Sequence, residues 1–86
     1  MGTDMSITSK DYLSNSKYKI EGIYGIKVHS SGAILRGEKL FTQYLNTEAG
    51  VLLWLKEQIP FKELTVYNLV TRRDETKQFI DKFSGV

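Results

Sequence analysis

The residues of this chain best equipped for chemistry are its cations. Lys17, Lys19, Lys27, Arg36 and Lys39, with His29 among them, occupy a span that also carries Tyr18 and Tyr24 and only two acidic residues, Glu21 and Glu38. A local excess of positive charge can hold phosphates, and an exposed tyrosine can stack on a base. Arg72-Arg73 stands ahead of a helix signal, where guanidinium groups and helix N-terminal amides together can clamp a phosphate, although Asp74 and Glu75 beside them offer neutralisation. These cations are the candidate nucleic-acid-binding residues, for DNA or RNA alike. The simpler use of the same residues is structural: lysines solvate an outer face while Tyr18 and Tyr24 pack inward with Ile20, Ile26 and Val28, whose even numbering they share. The carboxylates are dispersed, with Asp11, Glu48 and Glu75 far apart in sequence. A divalent cation needs several of them to converge in space. Without cysteine, and with His29 as the single histidine, the chain has no disulfide framework, thiolate site or histidine cluster.

The elements that must position these groups are built around Val51-Leu52-Leu53-Trp54-Leu55, five consecutive large apolar residues that include the only tryptophan. Asn46-Thr47-Glu48 caps and charges a helix start, and Pro60 stops it, so a helix is predicted over 47–59. Five apolar neighbours exceed one narrow stripe, which predicts cover from a sheet beneath and a second helix alongside. Alternation from Tyr18 to Val28, a turn at Ser30-Ser31-Gly32 and renewed extended character from Ala33 predict an antiparallel hairpin of 18–29 with 33–42. Residues 38–45 fit both a strand and the i, i+4 spacing of an early helix start near Glu38. The β-branched and aromatic run 64–70 predicts a third, interior strand, followed by a helix with a capping-box start at Thr71-Arg72-Arg73-Asp74 and an apolar side of Phe79, Ile80 and Phe83. The expected fold class is α+β in β-β-α-β-α order: a three-stranded, mostly antiparallel sheet packed against two helices, with the step from Leu35 to Val70 adding a parallel or crossover connection. Residues 1–17 are expected to be a flexible N-terminal segment, with 1–4 a leader before a natural start at Met5, and 18–86 a single domain.

Two family resemblances fit this order. Gly22-Ile23-Tyr24, the turn glycine Gly32 and then Ile34-Leu35-Arg36-Gly37 resemble the two-strand core of the GIY-YIG nucleases, over most of residues 20–83. That resemblance implies metal-assisted cleavage of a DNA phosphodiester. Tyr24 would lie close to the water or proton transfer, Arg36 would supply the phosphate charge, and Glu75 would be the carboxylate that binds Mg²⁺. The chain departs from the family in placing Leu35 and Arg36 where the second motif has tyrosine and isoleucine, and in lacking an arginine between Thr47 and Ile59. A competing resemblance is to a shortened RNase H-like domain, carried by Asp11, the 25–41 hairpin with its Gly32 turn, Glu48 and Asn68. Asn68 stands there where a strand-end aspartate would be, which implies a non-catalytic version.

Composition bounds the rest. Eighty-six residues with 41% hydrophobic and 26% charged content make one ordinary globular domain, and a formal net charge of +2 excludes an acidic DNA mimic without requiring nucleic acid. No apolar run approaches a membrane span, and the chain is expected to be cytoplasmic, with no membrane partner and no cofactor unless Mg²⁺ serves a nuclease-like site. Each catalytic template lacks at least one essential group, so the expected function is a small non-enzymatic binding module, nucleic-acid-associated through the basic hairpin. The alternatives are a degenerate metal-dependent nuclease and a domain that docks a protein partner, or forms a homodimer, through the apolar helix.

Overall fold

The computed structural model describes residues 15–84. Asp11, the leader and the start at Met5 lie outside them. In chain order the elements are β1 (Tyr18–Tyr24), β2 (Lys27–Val28), β3 (Ile34–Arg36), β4 (Leu40–Leu45), α1 (Glu48–Gln58), β5 (Phe61–Asn68), β6 (Arg73–Asp74) and α2 (Thr76–Ser84). Among the described residues the class is α+β with two helices, as expected, but the sheet differs from the expected three strands. Four strands run β4-β1-β5-β6, all neighbours antiparallel, and β2 and β3 form a separate two-stranded ribbon.

The single hairpin of 18–29 with 33–42 is therefore corrected. β1 ends at Tyr24 and its partner is β4, from Tyr18 opposite Leu45 to Ile23 opposite Leu40. Residues 25–39 leave the sheet as an insertion between the two. The cause is visible at the exit, where the register with β5 shifts between Ile23 and Tyr24 and Gly25 turns onto Pro60, its N–H donating to the Pro60 carbonyl at 3.0 Å. A Cβ on Gly25 would touch Pro60 at 3.4 Å, so the chain leaves close against Pro60. Alternation continued through Ile26 and Val28, but those side chains belong to the ribbon and are exposed. Residues 40–45 are strand rather than an early helix start, because β1 takes them into its ladder.

β4 and β5 flank β1 on opposite sides and are both antiparallel to it, so they run parallel to one another while α1 crosses over β1. This is the crossover, rather than the direct parallel pair, of the two arrangements expected. Opposed residues of antiparallel strands share a face. Ile20 and Val66 therefore point the same way, and both helices cover that face with Val51, Leu55 and Phe79. Burying each of these side chains is worth about 1.5–3 kcal/mol. Helix α1 starts and stops where its signals stand: the Thr47 hydroxyl accepts from the Gly50 N–H at 2.9 Å, and Ile59 closes the end before Pro60. Only Val51 and Leu55 of the five apolar neighbours are fully buried, and Leu53 is exposed, so cover is narrower than expected. Thr47→Ala should cost about 1 kcal/mol of stability, measured by urea denaturation, because it orphans a first-turn amide.

The second helix begins later than its capping-box signal. Arg73 and Asp74 pair with Asn68 and Tyr67 as β6, and α2 starts at Thr76, whose N–H and hydroxyl both donate to Asp74 Oδ1 at 2.9 and 2.6 Å. The Thr76 hydroxyl oxygen in turn accepts from the Val66 N–H at 2.8 Å, which ties the helix start to the centre of β5. A bond between Lys82 and Glu48 links α2 to the start of α1.

Candidate docking surface

The insertion at 25–39 is held to the body from below. Arg36, last residue of β3, lies opposite Lys27 in the ribbon and reaches back to the end of α1. Its Nη2 donates to the Pro60 carbonyl at 2.8 Å and to the Gly25 carbonyl at 3.3 Å, and its Nη1 donates to Gln58 Oε1 at 3.3 Å. The guanidinium carbon stands 4.0 Å above the Tyr24 ring, which itself stacks on Phe41 at 4.5 Å and neighbours Phe61. Lys27 Nζ approaches the Glu57 carbonyl at 3.5 Å. Two cations thus sit at the C-terminus of α1, where the helix dipole is negative and carbonyls lack helical partners. Arg36 Nε is buried and has no hydrogen-bond partner among the described residues.

The tip is equally ordered. His29 N–H donates to the Ala33 carbonyl and Gly32 N–H to the His29 carbonyl, each at 2.8 Å. Gly32 adopts φ +96°, which favours glycine. The His29 ring accepts from the Ser31 N–H at 3.0 Å and meets the Ser31 hydroxyl at 3.0 Å, so it closes the turn.

What this clasped ribbon presents outward is apolar. Ile26, Val28, Ile34 and Leu35 each expose half or more of their surface. The sequence drew attention to the cations of this stretch and left Ile26 and Val28 to the core. The signal that could have separated them is Gly25, where one alternating pattern passes from sheet to ribbon.

The candidate site residues are distributed as follows. Tyr24 and Arg36 come together as a packed pair, with the guanidinium facing carbonyls. Glu75 does not join them. It precedes α2 rather than lying in it, and its carboxylate accepts from Asn68 Nδ2 at 3.2 and 3.3 Å. Asn68 pairs with Tyr18 while Phe61 pairs with Tyr24, so β5 separates the two places by about 20 Å at roughly 3.3 Å per residue. Glu48 is bonded to Lys82, and no group of three or more metal-ligating side chains gathers among the described residues. One carboxylate already held by an amide does not fit a Mg²⁺ site serving Tyr24 and Arg36.

The basic residues divide between the two ends of the sheet. Lys27, His29, Arg36 and Lys39 lie on or beside the ribbon, whereas Lys17, Arg72 and Arg73 lie at the other end, where the Leu69 N–H donates to the Lys17 carbonyl at 2.8 Å. Arg72 takes φ 63° in the turn that Asn68 organises by accepting from the Val70 and Thr71 N–H groups. Lys19 is buried on the face away from the helices and paired with Glu21 at 3.2 Å. Among the described residues no helix is long and apolar enough to cross a membrane. Compared with protein-family models, with curated proteins and with solved structures, the chain matches none.

Proposed function

We propose that this chain is a non-enzymatic docking module that binds a protein partner through the outer face of the β2–β3 ribbon. The observation that carries this reading is the exposure of Ile26, Val28, Ile34 and Leu35 together on a ribbon whose inner face is clasped by Arg36. Contiguous exposed apolar side chains on a small domain are a recurrent feature of interaction surfaces, and a surface ordered before binding loses less entropy when it docks. The partner surface should be apolar, with an acidic group facing exposed Lys39 at the border of the ribbon.

The nucleic-acid reading stands second. It rests on the basic residues of the same stretch, but Lys19 is buried in an ion pair and Arg36 and Lys27 are turned to carbonyls, so fewer charges face outward than the sequence suggested.

Both readings are tested together. A photo-crosslinking side chain at position 34, in cells producing the protein, should yield a discrete protein adduct. The same group at position 77, on exposed α2, should not yield it, and Leu35→Asp should abolish it. In parallel, labelled single- and double-stranded DNA and RNA are titrated by fluorescence anisotropy at low and moderate salt. Binding that falls steeply with salt, is unchanged in Leu35→Asp and is accompanied by no adduct at 34 would overturn the protein-docking reading in favour of nucleic acid.

A further inference from the structure

The two edges of the sheet are built differently. At one edge stands β6, two residues long and charged, Arg73 and Asp74. Short length and charge are the usual protection of an edge against pairing with another strand. At the other edge stands β4, six residues, Leu-Phe-Thr-Gln-Tyr-Leu, with no charge, no proline and no register shift in its pairing with β1. Among the described residues β1 is its sheet partner. Its first residue, Leu40, is 79% exposed, the most exposed large apolar side chain among the described residues.

The direction of its edge groups follows from the ladder. Tyr24 N–H donates to the Lys39 carbonyl at 2.9 Å, which makes Tyr24 and Lys39 a hydrogen-bonded pair. Such pairs alternate along an antiparallel ladder, so Phe41 is the next residue of β4 turned toward β1, opposite Gly22. The N–H and C=O groups of Leu40 and Thr42 therefore point away from the sheet.

We infer that β4 is a self-association edge, at which a second copy of this chain adds its own β4 in antiparallel register to make one continuous sheet. The fit is to a second copy because the strand is complementary to itself. A two-fold axis at Phe41 places Leu40 opposite Thr42 of the other copy in a hydrogen-bonded pair on either side of the axis. Phe41 then faces Phe41 of the other copy in the closer, non-hydrogen-bonded position, where aromatic pairs contribute most. No like charges are opposed within the strand, and a net formal charge of +2 sets up little repulsion between copies. Phe41 already contacts Tyr24, Trp54 and Phe61, so the aromatic cluster would continue across the axis. This edge is separate from the ribbon surface, and neither proposal depends on the other.

Sedimentation equilibrium of the full chain over a range from micromolar to millimolar should show a monomer–dimer equilibrium. Leu40→Lys, and separately Thr42→Lys, should raise its dissociation constant at least tenfold while far-UV circular dichroism stays that of the parent. The register is read from single-cysteine chains, which the cysteine-free parent makes unambiguous. A mixture of Leu40→Cys and Thr42→Cys should oxidise mainly to the mixed disulfide, since hydrogen-bonded pairs place Cα atoms about 5.5 Å apart, within disulfide range. A monomer throughout the range would overturn the inference. So would a dimer indifferent to both lysine substitutions, or one whose disulfides form without preference for the mixed species.

Discussion

Gly22→Ala should remove about 3 kcal/mol of stability, observed as an early midpoint in urea denaturation and a lowered Tm. Gly22 lies in the middle of β1, between Phe41 of β4 and Leu64 of β5. A Cβ there would stand 2.1 Å from the Glu63 carbonyl oxygen and 2.8 Å from its carbon. Both are backbone atoms of a paired strand, so no side-chain rotation relieves the contact, and β1 and β5 must part to admit one methyl group. A chain of this length has a total stability of about 4–13 kcal/mol, so the loss is a large share of it. Alanine at Gly37, where a Cβ meets nothing within 4 Å, provides the control and should leave the midpoint nearly unchanged. Equal midpoints for the two variants would show that the strands open more readily than their packing implies.

Arg36→Ala should release the ribbon while leaving the sheet intact. Three hydrogen bonds are lost, to Pro60 O, which keeps the Gly25 N–H, and to Gly25 O and Gln58 Oε1, and Tyr24 loses the cation over its ring. At roughly 1 kcal/mol for each hydrogen bond and about 0.5–1 kcal/mol for the ring contact, offset by relief of the buried Nε, the expected cost is about 2–3 kcal/mol. The sharper readout is local. Hydrogen exchange should accelerate at the His29 and Gly32 amides and stay slow at the β1 and β5 amides flanking Ile20 and Val66. Lysine should recover little of this, because one ammonium cannot reach three acceptors in a fork while lying flat on a ring. Equal protection of the ribbon in the parent, the alanine and the lysine variants would show that Arg36 is not its fastening.

How much of this was legible beforehand depends on the range of the interactions involved. Helix α1 was readable because its signals are local: Thr47 accepts from an amide three residues on, and Pro60 blocks continuation. The inward packing of Tyr18 and Tyr24 was also readable, since period-2 alternation reports which face a strand residue occupies. Alternation is silent about what that face rests on. Ile26 and Val28 keep the same parity as Ile20 and nonetheless lie on a ribbon beyond the sheet's end. Likewise Leu40, Phe41, Tyr44 and Leu45 satisfied a helical spacing, and only pairing with β1, some twenty residues away, decided for strand. Arg36 was selected for its charge, but its acceptors are two backbone carbonyls and an amide oxygen that sequence types do not advertise. Glu75 was placed one turn too deep because Thr71 offered an earlier cap than the Asp74 that serves.

The order β4-β1-β5 also governs when this protein can fold as it is made. β1 and β4 are made first and can form their ladder, but the second flank of β1 is β5, and the core closes only with Val66 and then Phe79. At the ~5–20 residues per second of synthesis, the stretch from Leu55 to Phe79 takes about a second or more to make, and until it exists Ile20, Val51 and Leu55 lack their partners. Throughout that interval the nascent protein is an unfinished sheet with one whole side of β1 open.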